Sequence, residues 1–312
     1  MGNAEHRRTA WTELPAELRE TVANLLGGPV TSAVSQSNGF SPGSADRVVT
    51  AAGRRAFVKA VHRDRNPGTY DLHDREITVM AAMPAGVRAP TLLGSYRTDD
   101  WIALILSDID GRHPGETLDG SDVGPVLDAL ATFSTVPVHT LGALPRAAVE
   151  FREEAAGWAE LRAAGAVGDL PDWVQGSVDR LQAVAETVTA AVEGEALVHL
   201  DCRADNVLLD PAGSAWIIDW PWACVGAGWV DGLTYLLDAR LRGERVDADA
   251  LLREHPLFAG VPADSFDAVL SAITGSFFTK ARQPAPPNMP ALRDFQRREA
   301  LAGAAWLRER WG

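Results

Sequence analysis

From His199 to Trp220 the chain reads HLDCRADNVLLDPAGSAWIIDW, and three of its side chains have the types and intervals of a phosphate-handling site. Asp201 and Asn206 stand five residues apart between two short apolar runs, and Asp219 closes another, IIDW. A β-hairpin of NVLL and AWII turning at DPAGSA would bring Asn206 and Asp219 to one end. An amide oxygen and a carboxylate, with no His or Cys cluster beside them, suit a hard, hydrated cation such as Mg²⁺. That ion takes one or two protein carboxylates and completes its shell with phosphate oxygens and water. Asp201 is then left to accept, or to orient, the proton of a hydroxyl that attacks a phosphoryl group. Each piece alone is an ordinary turn or cap; the combination is the specific signal.

A lysine far upstream joins them. Among 29 basic residues only Lys59 and Lys280 are lysines, and Lys59 lies within AFVKAV, an otherwise apolar strand. A buried, unpaired ammonium is costly, so the side chain either reaches solvent or finds anions. Strand alternation puts Phe57, Lys59 and Val61 on one face and Val58 and Ala60 on the other, which leaves edge exposure open. Glu76, seventeen residues on, is a counter-charge, and Asp64, Asp71 and Asp74 qualify by position.

The elements that must position these groups fall into two regions. A helix is predicted from Thr12 to about Leu26, stopped by Gly27, Gly28 and Pro29. Strands follow at Val30 to Gln36, Asp46 to Ala52 and Arg55 to His62, the first pair flanking SNGFSPGS and the second turning at Gly53. TYDLHDREITVMAAM has helical spacing and predicts a helix capped near Asp71. Strands at Thr91 to Tyr96 and Trp101 to Ser107 complete a small antiparallel sheet. From SDIDGRHPGE onward Ala- and Leu-rich helical periodicity takes over, at about 121 to 136, 147 to 164, 172 to 193, 228 to 241, 264 to 280 and 290 to 311. Only ALVHL, NVLL and AWIID interrupt it as short strands, and QPAPPNMP forms a connection without a helix of its own. The domain boundary therefore belongs near residue 110.

Composition bounds the rest. A chain of 312 residues, 46% apolar with ten Trp, is long enough for two lobes sharing a cleft and is unlike a disordered tail. The formal charge is -13, and the excess of acid lies almost wholly downstream: residues 1 to 110 hold 12 basic and 13 acidic side chains, the remainder 17 and 29. Such a field repels nucleic acid and favours cationic ligands. Cys202 and Cys224 are too few for a disulfide framework and lack metal spacing, which fits a reducing cytoplasm. The sequence shows no membrane span and no signal-peptide core.

Taken in order, a strand lysine, a helix glutamate, a polar hinge, H-x-D-x-x-x-x-N and an I-D-W at the end of a hairpin resemble the aminoglycoside phosphotransferase and choline-kinase-like family, small-molecule kinases with the protein-kinase-like fold. The resemblance runs from about residue 30 to the end. It implies an α+β bilobal fold: an N-terminal nucleotide-binding lobe over 1–110, a hinge at about 106–111, and a helical C-terminal lobe over 111–312. It further implies a phosphotransferase with an alcohol group as acceptor, using ATP, with GTP as an alternative, and Mg²⁺. By the same resemblance Asp201 is the catalytic aspartate, Asn206 and Asp219 bind the metal, and Lys59, paired with Glu76, holds the α- and β-phosphates. Backbone groups of Ser107 and Ile109 in LSDIDG would hold the adenine edge, and Gly39, Phe40 and Ser41 in SNGFSPGS would cover the nucleotide.

Departures are visible. Leu200 stands where family members often carry glycine, and Arg203-Ala204-Asp205 replaces a His-Pro-Gly or Gly-Asp run before the asparagine. Pro221 occupies the glycine place of a D-F-G motif and stiffens the backbone after Asp219. Twelve residues lead from Asp219 to Asp231, too few for a long activation loop, so protein substrates are disfavoured. His199 and Asp231 read as scaffold, Arg203 and Asp205 as phosphate or acceptor contacts or an internal ion pair, and the Trp cluster at 216, 220, 222 and 229 as core. The expected acceptor is a small cationic natural product, aminoglycoside-like, met by acids such as Glu150, Glu153, Glu154 and Glu160, in antibiotic resistance or biosynthesis. Other readings are a Ser/Thr-phosphorylating enzyme of peptide natural-product biosynthesis and a non-catalytic pseudokinase. Neither nucleic acid nor membrane is an expected partner, and a monomer or weak homodimer is the expected state.

Overall fold

The computed structural model describes residues 8–36, 43–133, 135–136 and 144–312. Five antiparallel strands, β1 (Val30–Ser35), β2 (Ser44–Thr50), β3 (Arg55–His62), β4 (Leu92–Arg97) and β5 (Trp101–Ser107), form one sheet in the order β1-β2-β3-β5-β4. β2 begins and ends two residues before the expected span because the turn closes early. Gly53, at φ +78, donates its N–H to the Thr50 carbonyl at 2.9 Å, a backbone conformation that glycine adopts without steric cost.

Alternation along these strands builds two apolar layers. Val58, Ala60, Ala103 and Ile105 meet Leu14, Leu18, Val22 and Leu26 from α1 (Ala16–Leu25) and its flanks. Val61, Ile102, Leu104 and Leu106 face the other way, toward Tyr70, Ile77 and Met80 of α2 (Pro67–Ala81), in a core continuous with the helical lobe. The first predicted helix is shorter than expected: Trp11–Glu13 is a separate 3-10 turn, and Pro15, at ψ 143, starts α1 anew. The cap of α2 is likewise not at Asp71. The Asn66 side chain accepts from Thr69 N at 2.9 Å and Pro67 takes the first helical position, where its missing N–H costs nothing.

The second lobe is helical: α3 (Val123–Phe133), α4 (Ala147–Glu154), α5 (Gly157–Ala163), α6 (Asp172–Ala185), α7 (Val188–Ala191), α8 (Val230–Arg242), α9 (Ala248–Glu254), α10 (Ala263–Lys280) and α11 (Leu292–Trp311). Periodicity predicts one helix over 147–164 where there are two. A Cβ on Gly157 would come within 2.4 Å of the Gly275–Ser276 backbone, so the chain breaks to lay α5 against the buried α10. The span 172–193 also divides, into α6 and α7, and α9 falls where no helix is expected.

Two small antiparallel pairs carry the motif. β7 (Val207–Leu209) and β8 (Ala215–Ile217) form the expected hairpin, with Val207 opposite Ile217, and Asp210 Oδ1 closes its turn on the N–H groups of Ala212 and Ser214. β6 (Ala196–Val198) pairs with β9 (Cys224–Gly226), a strand the sequence does not suggest. The 283–290 connection has no helix, and it crosses to the sheet lobe. Asn66 Nδ2 donates to Pro287 O at 3.0 Å, and Asn288 Nδ2 donates to Arg65 O at 2.9 Å. Among the described residues no helix is long and apolar enough to span a membrane.

Candidate active site

Central in β3, Lys59 projects from the sheet toward α2. Its Nζ donates to Glu76 Oε1 and Oε2, both at 2.9 Å, and to Asp219 Oδ1 at 2.6 Å. Of the four candidate counter-charges the structure selects Glu76; Asp71 and Asp74 lie near Arg63 and Arg97, and Asp64 near His62. Burial alone would lower the Lys59 pKa, and the carboxylates of Asp219 and Glu76 reverse that and raise it, so the ammonium stays charged. Glu76 also accepts Trp220 N–H at 3.2 Å, which ties the glutamate to the backbone just after Asp219.

The H-x-D-x-x-x-x-N loop is held from below. Asp231, 1% exposed, accepts His199 N at 2.6 Å and Leu200 N at 2.8 Å, and His199 Nε2 lies 3.0 Å from Ile218 O. Leu200 has φ +66 and Asp219 φ +68, left-handed conformations that cost a side-chain-bearing residue roughly 1–2 kcal/mol. The buried Asp231 carboxylate stabilises the first of these kinks. Asp238 adds a brace, accepting Ala204 N at 2.9 Å.

Both oxygens of Asp201 carry protein donors: Arg203 at 2.6 Å on Oδ1 and Asn206 Nδ2 at 3.0 Å on Oδ2. Arg203 also grips Asp205 through two bonds of 3.1 Å, so the internal ion pair is the arrangement adopted. Burial, helped by the charges of Asp205 and Asp219, pushes the Asp201 pKa up to about 6 against the opposing pull of Arg203 and Asn206. Asn206 Nδ2 is further tied to Asp201 O at 2.8 Å, which leaves its Oδ1 as the amide atom for a ligand. Asp219, 42% exposed at its side chain, has one oxygen on Lys59 and a second to offer. Amide oxygen and carboxylate together fit a hard cation. Among the described residues no group of three or more His, Cys, Asp or Glu forms a metal cage, so such an ion would lean on oxygens brought by its ligand.

A cleft of about 240 Å³ runs between the lobes, and Lys59, Asn206 and Asp219 line it together with Ser107 and Ile109. At the hinge Arg47 donates to both oxygens of Asp108, at 2.7 and 3.0 Å, and to Ile109 O at 3.3 Å, while Ser107 N donates to Thr91 O at 2.8 Å. These bonds take up the Ser107 N–H and the Ile109 carbonyl and do not involve the Ser107 carbonyl or the Ile109 N–H. Gly39, Phe40 and Ser41 lie outside the described residues.

Several lining residues went unsuspected. Arg47 sits 61 residues before its partner Asp108, a separation that no local pattern reveals. Arg8 reaches the cleft from ahead of α1, and His73 from one turn before Glu76. Of the acids expected to meet the acceptor, Glu150 pairs with Arg75 at 3.2 Å and Glu154 with Lys280 at 2.7 Å; Glu153 and Glu160 are exposed. Trp220 and Trp229 are core, as expected, whereas Trp222 is 39% exposed beside Arg75. Cys202 and Cys224 are buried free thiols, both pushed up by burial and nearby carboxylates, as inert packing groups should be.

A strand lysine paired with a helix glutamate, across a cleft from an H-x-D-x-x-x-x-N loop set between two short strands, defines a bilobal, protein-kinase-like phosphotransferase. The profile of the Phosphotransferase enzyme family matches residues 39–260, and the chain belongs to that family. No curated protein matches it. Among solved structures it is similar to an aminoglycoside phosphotransferase from Alicyclobacillus acidocaldarius, at 16% identity and TM-score 0.59, covering 95% of this chain and 96% of that one. It is similar also to a thermostable mutant of aminoglycoside phosphotransferase APH(4)-Ia in ternary complex with AMP-PNP and hygromycin B, at 15%, TM-score 0.61, covering 95% and 97%. A third is LicA in complex with AMP, at 13%, TM-score 0.56, covering 93% and 98%. Identities this low carry the fold, and they bear out the α+β bilobal expectation.

Proposed function

We propose that this phosphotransferase moves the γ-phosphoryl group of ATP to a hydroxyl of a small molecule. The observation that carries the reading is the single ammonium of Lys59, held between Glu76 and Asp219 in the wall of a cleft whose opposite wall holds Asn206 and the Asp201 loop. In this reading residues 1–110 form the nucleotide lobe, residues 111–312 the acceptor lobe, and 106–111 the hinge. Lys59 orients the α- and β-phosphates, and Glu76 holds Lys59 in place. Asn206 and Asp219 would hold Mg²⁺, which when bound offsets phosphate charge. Asp201 Oδ positions the acceptor hydroxyl and takes its proton, a role suited to a carboxylate whose pKa of about 6 leaves it ionised yet basic at neutral pH. Arg203 and Asn206 fix its orientation, so most of the rate enhancement is positioning and electrostatics.

The acceptor is a cationic natural product, aminoglycoside-like. Support comes from the acid excess downstream, from exposed Glu153 and Glu160, and from the hygromycin B held by one structural neighbour. The test is a coupled ADP-release screen over aminoglycosides, tuberactinomycin-type peptides, macrolides, nucleoside antibiotics and amino alcohols, with mass spectrometry for an added phosphate. An acceptor-dependent ADP signal with a phosphate adduct supports the assignment. ADP release that no acceptor stimulates argues against it.

A further inference from the structure

On α2, His73 lies one turn before Glu76, so the two side chains share a helix face. His73 is 5% exposed and lines the cleft, and its Nε2 has no hydrogen-bond partner among the described residues. Lys59 and Asp219 line the same cleft, and theirs are the charges that act on the ring. Burial, with Lys59 adding to it, pushes the imidazole pKa down to about 3, so the ring is neutral.

An unpaired polar nitrogen inside a protein is destabilising, and a leucine or methionine would fill the same wall without that cost. Neutral imidazole has one N–H and one lone pair. With the proton on Nε2 it is a donor without a charge of its own. That property matters beside Lys59, because a second cation would compete for the same two carboxylates. What the empty valence calls for is an anionic oxygen arriving in the cleft.

We propose that His73 is a nucleotide-binding residue whose Nε2–H donates to a non-bridging oxygen of the terminal phosphates of a bound nucleoside triphosphate. The inference rests on the nucleotide reading of the cleft and adds a second phosphate contact to Lys59. It separates phosphate recognition into a charged donor from β3 and a neutral donor from α2, and so makes the position of α2 itself part of triphosphate binding.

The test is calorimetric titration of wild type, His73→Leu and His73→Gln with AMP, ADP and AMP-PNP in the presence of Mg²⁺. His73→Leu should lose about tenfold in AMP-PNP affinity, the scale of one hydrogen bond to a charged group, while AMP affinity stays within about twofold. His73→Gln, which restores an N–H donor, should recover most of the loss. Equal weakening toward AMP and AMP-PNP, or no weakening at all, overturns the contact and leaves His73 a wall residue. Wild-type protein that binds none of the three overturns the nucleotide reading itself, and the contact with it.

Discussion

Lys59 Nζ and Asp219 Oδ1 lie 2.6 Å apart although their positions differ by 160 in the sequence. The contact crosses from the sheet lobe to the end of the C-lobe hairpin, and Glu76 makes it a three-membered group with two carboxylates on one ammonium. Glu76 is 1% exposed. Lys59→Met would therefore strand a buried carboxylate, which costs on the order of 3 kcal/mol. Lys59→Met with Glu76→Gln should regain most of that stability. Urea unfolding at pH 7 checks this, and equal stability of the single and double variants would contradict it.

The pKa of Asp201 predicts a pH profile. The base form is needed, so kcat/KM should fall on the acid side with an apparent pKa near 6. Because the Arg203 charge pulls that pKa down, Arg203→Ala should move the acid limb to higher pH as well as lower the rate. A limb left in the ordinary carboxylate range, near 4, would show that another group limits the reaction.

Glu299 on α11 offers a test that reads stability in place of rate. Burial, with the Asp201, Asp238 and Asp205 charges adding to it and Arg203 opposing, pushes its pKa up to about 8. The folded state therefore binds a proton more tightly than the unfolded chain, and stability is lost as pH rises from the ordinary carboxyl range to about 8. Glu299→Gln removes this dependence. Its melting temperature should match wild type near pH 5 and exceed it by a few degrees at pH 8. A constant difference across that range would rule out the titration.

Asn66 uses both ends of its amide, Oδ1 to cap α2 and Nδ2 to hold Pro287 of the C-lobe connection. Aspartate can do only the first. Asn66→Asp should keep α2 folded while raising the KM for ATP several-fold, because the helix that carries Glu76 loses its tie to the other lobe. Hydrogen exchange should quicken at 283–290 before it quickens within α2. Unchanged exchange and KM would mean that the tie is incidental.

Local chemistry explains what the sequence disclosed. The β7–β8 hairpin is readable because DPAGSA is a turn by composition; a lone lysine in an apolar strand points to an anion but leaves four acids open, and only the family resemblance singles out Glu76. Asp71 drew the cap away from Asn66 because an acid early in a helix looks like a cap, whereas the asparagine's second partner sits 221 residues away. Distance likewise hid the Arg47–Asp108 clamp and the arginine and lysine that engage Glu150 and Glu154. The split of the 147–164 helix was invisible because its cause is the backbone of α10, not anything in the helix itself.

The account turns on phosphoryl transfer in which Asp201 serves the acceptor and leaves the nucleotide alone. The direct measurement is transfer from [γ-³²P]ATP to an acceptor found by the screen, run beside nucleotide binding, for wild type and Asp201→Asn. Transfer should drop by about a thousandfold or more in Asp201→Asn while its ATP affinity stays within a few-fold of wild type. Transfer at the wild-type rate by Asp201→Asn would contradict the account.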